Sequence, residues 1–295
     1  MRRLLSILML ALFAGCGEKE VELELPESEV CESVERAIRH IELLEHSVAD
    51  ASAVTVKVVN VQGMPVERFK RELEKFPGER VKVWMPGRFT WVFVGSRIAD
   101  EVEVPRAMRT FSFDAECPSV AEVFASYAGT REEIMPAFDG GNFEAKTRPE
   151  FFLSREALAP EWLSFAGVDD DIAKTMQAEI LAVQEVRRKV VEGDMLAEAA
   201  TDLKGEKPAI ERWSGAAERN PSDSFLRERV ENLERNAKGF LEVGKFLQAM
   251  KCFETIVNIY PNNAAALHNF GVCLKKLGKT DLANRALERA EELLK

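Results

Sequence analysis

Laid over itself at an offset of 34 residues, the end of the chain pairs Leu233 with Leu267, Gly244 with Gly278, Ala249 with Ala283 and Phe253 with Leu287. No other feature constrains the fold as tightly. A period of that length holds two helices and a turn, and one such pair cannot bury its apolar face without stacked neighbours. The words inside the period fit a helical hairpin. In "GKFLQAMKCFETIVNIYPNN" the turn glycine Gly244 precedes the aromatic Phe246, the small Ala249, the bulky Phe253 and the closing Pro261. The small residue lets two antiparallel helices approach, the aromatic fills the groove beside it, and the proline stops the helix. A weaker copy precedes these, with Ala209, Trp213, Ala216, Ala217 and Pro221 in "AIERWSGAAERNPSDS". Its turn falls at Gly193 or Gly205. Pro221 and Pro261 are 40 residues apart rather than 34, so one first helix is expected to be about six residues longer than its counterpart.

In period and in words the segment resembles the tetratricopeptide repeat, with copies at about 190–223, 229–262 and 264–295. Three units are about the minimum for a stable stack. The resemblance implies a concave groove lined by the first helix of each repeat. That places Lys238 and Glu242, and one repeat on His268, Asn269, Val272 and Lys275, as candidate contacts to a protein or peptide partner. Amides pair with both backbone groups of an extended peptide, and lysine supplies a point charge for a carboxylate.

The chain opens with Arg2 and Arg3, the apolar run "LLSILMLALF" and the small pair Ala14-Gly15. This is the anatomy of a secretory signal, and the run falls short of the roughly 20 apolar residues that span a bilayer. "FAGC" resembles the bacterial lipobox, with Phe13 where Leu, Val or Ile is usual. The resemblance implies cleavage of residues 1–15, acylation of Cys16, and a linker over 16–30. Several acyl chains at about 0.8 kcal/mol per buried CH₂ give durable anchoring without a spanning helix. Gly17 after the cysteine favours the outer membrane by enterobacterial sorting. The expectation is a periplasmic, lipid-anchored bacterial protein.

Removing Arg2 and Arg3 with the signal takes Lys+Arg from 40 to 38 against 50 acidic residues, and the net charge from −10 to −12. Such a chain lacks the clustered cations that nucleic acid requires. Cys31, Cys117, Cys252 and Cys273 remain in a compartment where disulfides persist. A Cys31–Cys117 bridge and free buried thiols both stay open.

Between linker and repeats, residues 31–165 have another character. "CESVERAIRHIELLEHSV" carries Val34, Ile38, Ile41, Leu44 and Val48 at helical spacing, and "AVTVKVVNVQG" reads as a buried strand. "PVERFKRELEKF" opens a helix at Pro65. "RVKVWM" and "RFTWVFVGSR" read as two strands across the Pro86-Gly87 turn. Over residues 100–160 prolines punctuate the chain and "PSVAEVFASYA" is the one convincing helix; the boundary to the long helical patterns lies near 160–168. The expected fold is α+β, an N-terminal α/β unit followed by an all-α helical-repeat region.

Chemistry is scarce in this pattern. His40, His46 and His268 have no metal-ligand spacing, and no nucleophile elbow, phosphate-cradling glycine loop or CxxC occurs. Asp169-Asp170-Asp171 reads as a helix cap. The run from "SVADASAVTVKVVNVQG" through "VFVGSR" resembles the C-terminal half of a spermidine-synthase-like (aminopropyltransferase) domain, and "GGNFEAKTRPEFFLSRE" resembles the tail that often follows it. That family's nucleotide loop and catalytic aspartate lie upstream of the matched part, so no catalytic residue carries over. The resemblance implies a remnant fold serving as a platform. The sequence therefore points to a non-enzymatic interaction protein with no cofactor, the alternative being a degenerate transferase or small-molecule binder built on residues 31–165.

Overall fold

The computed structural model describes residues 32–48, 54–96, 102–103, 119–139, 163–164, 167–199, 203–219 and 221–295. The signal, Cys16, the linker and the Cys31–Cys117 pair lie outside the described residues. Of the remaining cysteines, Cys252 and Cys273 are free.

Helix α1 (Glu32–Val48) turns Val34, Ala37, Ile38, Ile41 and Leu44 inward, as its apolar phase requires. It is followed by β1 (Thr55–Asn60), α2 (Val66–Glu74), β2 (Arg80–Trp84) and β3 (Thr90–Ser96), the order expected from the sequence. With β5 (Tyr127–Thr130) the strands form one antiparallel sheet in the order β1-β3-β2-β5. A two-residue parallel pair joins β4 (Val102–Glu103) to β6 (Leu163–Ser164).

Period-two alternation divides the sheet into two cores. Val81, Val83, Trp91 and Phe93 face α2, where Phe69 meets Trp91 edge-on at 4.9 Å. Trp84, Val92 and Val94 face the opposite side, toward α1 and α3 (Val120–Phe124). The expectation of a buried first strand is corrected: among the described residues β1 stands at the sheet edge, and only Val59 within it is buried.

Two elements arise where the sequence suggested irregular chain. β5 bonds β2 across a register shift at Val83/Trp84, and α4 (Arg131–Asp139) runs through Pro136. Ile134 and Phe138 are buried in the α2-side core, so packing overrides the proline. Pro136 sits in the second turn of α4, where its missing N–H costs the bond that an ordinary residue would make to residue 132.

The long helix α5 (Asp170–Ala199) starts on a cap, with the Asp171 N–H donating to Asp169 Oδ1 at 2.9 Å. Its first half gives Met176, Ile180 and Val183 to the α1-side core, and its second half gives Val186, Val190 and Val191 to the helical core. Then follow α6 (Leu203–Trp213), α7 (Ala216–Arg219), α8 (Ser224–Glu242), α9 (Phe246–Ile259), α10 (Ala264–Lys276) and α11 (Thr280–Leu293). Neither Gly193 nor Gly205 is a turn. Gly193 lies inside α5 where the Trp213 indole packs, 2.8 Å from the place a Cβ would occupy, and Gly205 lies inside α6.

The period of 34 is visible in backbone hydrogen bonds. After α8 the Gly244 N–H donates to Leu241 O and the Lys245 N–H to Phe240 O; after α10 Gly278 donates to Lys275 O and Lys279 to Leu274 O. Both glycines are left-handed, at φ 72° and 75°. This is the same Schellman turn twice. Asp223 caps α8 through the Leu226 N–H at 3.0 Å, and Asn263 caps α10 through the Ala266 N–H at 2.9 Å. Helix α8 has 19 residues and α10 has 13, so the expected extension of six is present.

Candidate functional site

The outer faces of α8 and α10 are where sequence reasoning placed a groove. Lys238, Glu242, His268 and Lys275 are exposed, and Asn269 and Val272 are half-buried. His268 lies one period beyond Glu234, and Val272 one period beyond Lys238, so each pair holds equivalent positions on the two hairpins. Val230, Leu233 and Ala237 hold α8 inward, while Ala266, Leu267, Cys273 and Leu274 hold α10. The polar phase of each helix is thereby turned outward.

Beside these residues a cleft of about 290 Å³ opens between α8 and the α9–α10 turn, lined by Arg227, Val230, Glu231, Glu234, Tyr260 and Asn263. Sequence reasoning did not single out these six. Arg227, Glu231, Glu234 and Lys238 step by three or four along α8, a spacing that placed them on one face with Lys238 already. The cleft wall is fixed rather than loose. The Arg227 Nε–H donates to Pro221 O at 2.8 Å and the Tyr260 hydroxyl donates to the same oxygen at 3.3 Å. Burial pushes the Tyr260 phenol up to about 12, so it remains a neutral donor across the physiological range.

A second polar assembly lies deeper, where α5 and α8 meet the α/β unit. Arg187 on α5 donates from Nε to Asp223 at 2.8 Å, from Nη1 to Ser126 Oγ at 3.1 Å and from Nη2 to Glu122 O at 3.1 Å, and stacks over Phe225. Its side chain is 1 % exposed and that of Asp223 is 0 %. Asp194 receives Arg88 from the β2–β3 turn, Arg229 from α8 at 2.7 and 2.9 Å, and the Trp213 indole N–H at 3.0 Å. Glu228 receives the Thr90 hydroxyl at 2.8 Å and the Phe89 N–H at 3.1 Å, and the Ser224 hydroxyl donates to Pro86 O at 2.6 Å. Burial raises the Glu228 carboxyl against those bonds. Burial likewise raises Glu122, which accepts from Ser222 and from the Ser119 N–H of its own capping box.

These bonds join α5 and α8 to the α/β unit, so the assembly ties two parts of the molecule together. Ser224, Phe225, Glu228 and Arg229 all belong to the six residues by which α8 exceeds α10. The extension is the docking element. A signal for it was present in α5: Arg187 and Asp194 fall at the phase of Val183 and Val190, polar residues on an apolar stripe.

No protein-family model and no curated protein sequence matches this chain. Among the described residues no group of histidine, cysteine, aspartate and glutamate is placed to hold a metal, and no helix is long and apolar enough to cross a membrane. His40 Nδ1 lies 2.7 Å from Arg36 O on its own helix. Burial pushes the Cys252 and Cys273 thiols up, away from the thiolate that reactive cysteines use.

Proposed function

We propose that this protein is a non-enzymatic adapter, lipid-anchored through Cys16 on the periplasmic side of a bacterial outer membrane, whose tetratricopeptide-like hairpins receive an extended peptide of a protein partner. The observation that carries the reading is the turn and small-residue pattern recurring at 34 residues, with exposed polar residues on both α8 and α10. Helix faces bearing amides, acids and cations in alternation bind main-chain groups and charged side chains without forming a deep pocket. Arg227 and Lys238 flank Glu231 and Glu234 on α8, while His268, Asn269 and Lys275 lie on α10.

The test is in vivo cross-linking in the native envelope, followed by binding measurements with the partner it identifies. Asn269→Ala with Lys275→Ala is expected to weaken binding by about tenfold or more, charge-assisted hydrogen bonds being worth about 1.5–3 kcal/mol each. Helical melting should stay unchanged. In the same cells Cys16→Ser is expected to leave the membrane fraction. Loss of binding only on altering the surface of the α/β unit would transfer the function there, and a Cys16→Ser protein that is processed and retained normally would remove the anchor.

A further inference from the structure

Strand β1 is the edge of the sheet among the described residues; its ladder partner is β3, and its other side carries a strand's worth of backbone donors and acceptors. The two faces of that edge differ in chemistry. On the α2 side, Lys57 pairs with Glu72, and a cleft of about 420 Å³ runs beside them, lined also by Arg71, Lys75, Phe76 and Pro77. Three cations there face one carboxylate.

On the α1 side the edge is apolar. Val56 packs against the core, and Val58 is 43 % exposed. Glu45 of α1 reaches Lys82 on β2 at 2.8 Å, which fixes the roll of that helix. A strand that covers this edge needs acidic side chains on one face and apolar ones on the other.

The chain contains such a strand. Glu20-Val21-Glu22-Leu23-Glu24-Leu25 alternates acid and aliphatic without a break, and Pro26 ends it. We propose that residues 20–25 add to β1 as a fifth strand, with Glu20, Glu22 and Glu24 toward Lys57, Arg71 and Lys75, and Val21, Leu23 and Leu25 on the side of Val56 and Val58. Reach is sufficient. Six residues separate Leu25 from Glu32, and the seven residue steps span up to about 25 Å, which matches the roughly 25 Å length of the 17-residue α1. The segment therefore attains either end of the sheet, and the short tether gives it an effective concentration of the order of millimolar. The alternation serves a parallel or an antiparallel strand equally. This inference is independent of the adapter reading. Under lipidation at Cys16 it would hold the α/β unit within a few residues of the membrane.

The test is amide hydrogen exchange on the full-length chain, made soluble by Cys16→Ser. The β1 amides that do not bond β3 are expected to exchange slowly, and Glu20→Lys with Glu22→Lys and Glu24→Lys to speed them at least about tenfold while leaving β3 amides and thermal melting unchanged. Arg71→Glu with Lys75→Glu, added to that triple variant, should restore protection. A Leu23→Cys, Val58→Cys pair should form an intramolecular disulfide under mild oxidation. Outward β1 amides that exchange at the same rate in all variants overturn the proposal. Protection that rises with protein concentration also overturns it, since the strand would then come from a second copy.

Discussion

The hairpins α8–α9 and α10–α11 share a period, a Schellman turn and a capping site, yet different physics holds each in place. The first is seated by charge. Its six extra residues carry Ser224, Glu228 and Arg229 into the β2–β3 turn and onto Asp194, and its cap Asp223 doubles as the acceptor of Arg187. The second is seated by shape. Gly271 brings α10 against α11 so closely that a Cβ there would lie 2.8 Å from Leu287 Cγ and 3.1 Å from Ala283 O. Its ion pairs, such as Arg289 with Glu292, are on the surface. The same repeat unit therefore tolerates a specific, polar docking at one end and generic close packing at the other, because the turn and caps that define it are local.

The largest effect should come from cutting the charged clasp. Arg187→Ala removes the cation paired with the buried Asp223 carboxylate, and breaking a buried pair in this way costs about 3–5 kcal/mol. Arg289→Ala, at the other hairpin, should change stability by no more than about 0.5 kcal/mol. Urea unfolding of the full chain decides between them, and comparable losses would end the distinction.

Shape is probed by a pair of glycines. Gly271→Ala is expected to destabilise by about 1–3 kcal/mol through overpacking. Gly239→Ala on α8, where a Cβ meets nothing within 4 Å, should stabilise by about 0.5–1 kcal/mol through helix propensity. Opposite signs in thermal melts would sharpen the contrast; equal signs would mean that α10 and α11 relax apart.

The smallest effect is a pH dependence confined to the charged junction. Glu122 and Glu228 have carboxyl pKa values raised above 4.5 in the folded protein, chiefly by burial. The folded state then holds more protons than the unfolded one, so their contribution is fully present below about pH 4.5 and is lost as pH rises through the raised values. Glu228→Gln should flatten the fall in stability over that window, as read from urea midpoints at a series of pH values. Variants of α10 and α11 should leave the slope as it is.

Much of this architecture was legible because it is written in near-neighbour terms. Apolar spacing placed α1 and α2, Gly244 and Gly278 marked the turns, and the 40-residue proline spacing foretold a longer α8. Each depends on residues within a few positions of one another, which is the range over which helix phase and capping act. The residues proposed for the groove followed from the same phase, and they do lie on the outward faces of α8 and α10.

Tertiary structure alone decided the rest. "YAGTREEIMPAFD" gave no clear period, and only the burial of Ile134 and Phe138 against Phe69 and its neighbours makes a helix of it. "TVKVVN" has the composition of a core strand, yet its place at the edge of the sheet among the described residues is set by which strands pair, and pairing is not a property of the segment. The purpose of the α8 extension was hidden for the same reason. Glu228 meets Thr90, and Arg88 meets Asp194, across separations of 138 and 106 residues. A buried charge announces itself in sequence only as a polar residue out of phase; its partner is fixed when the chain closes on itself and removes water from both.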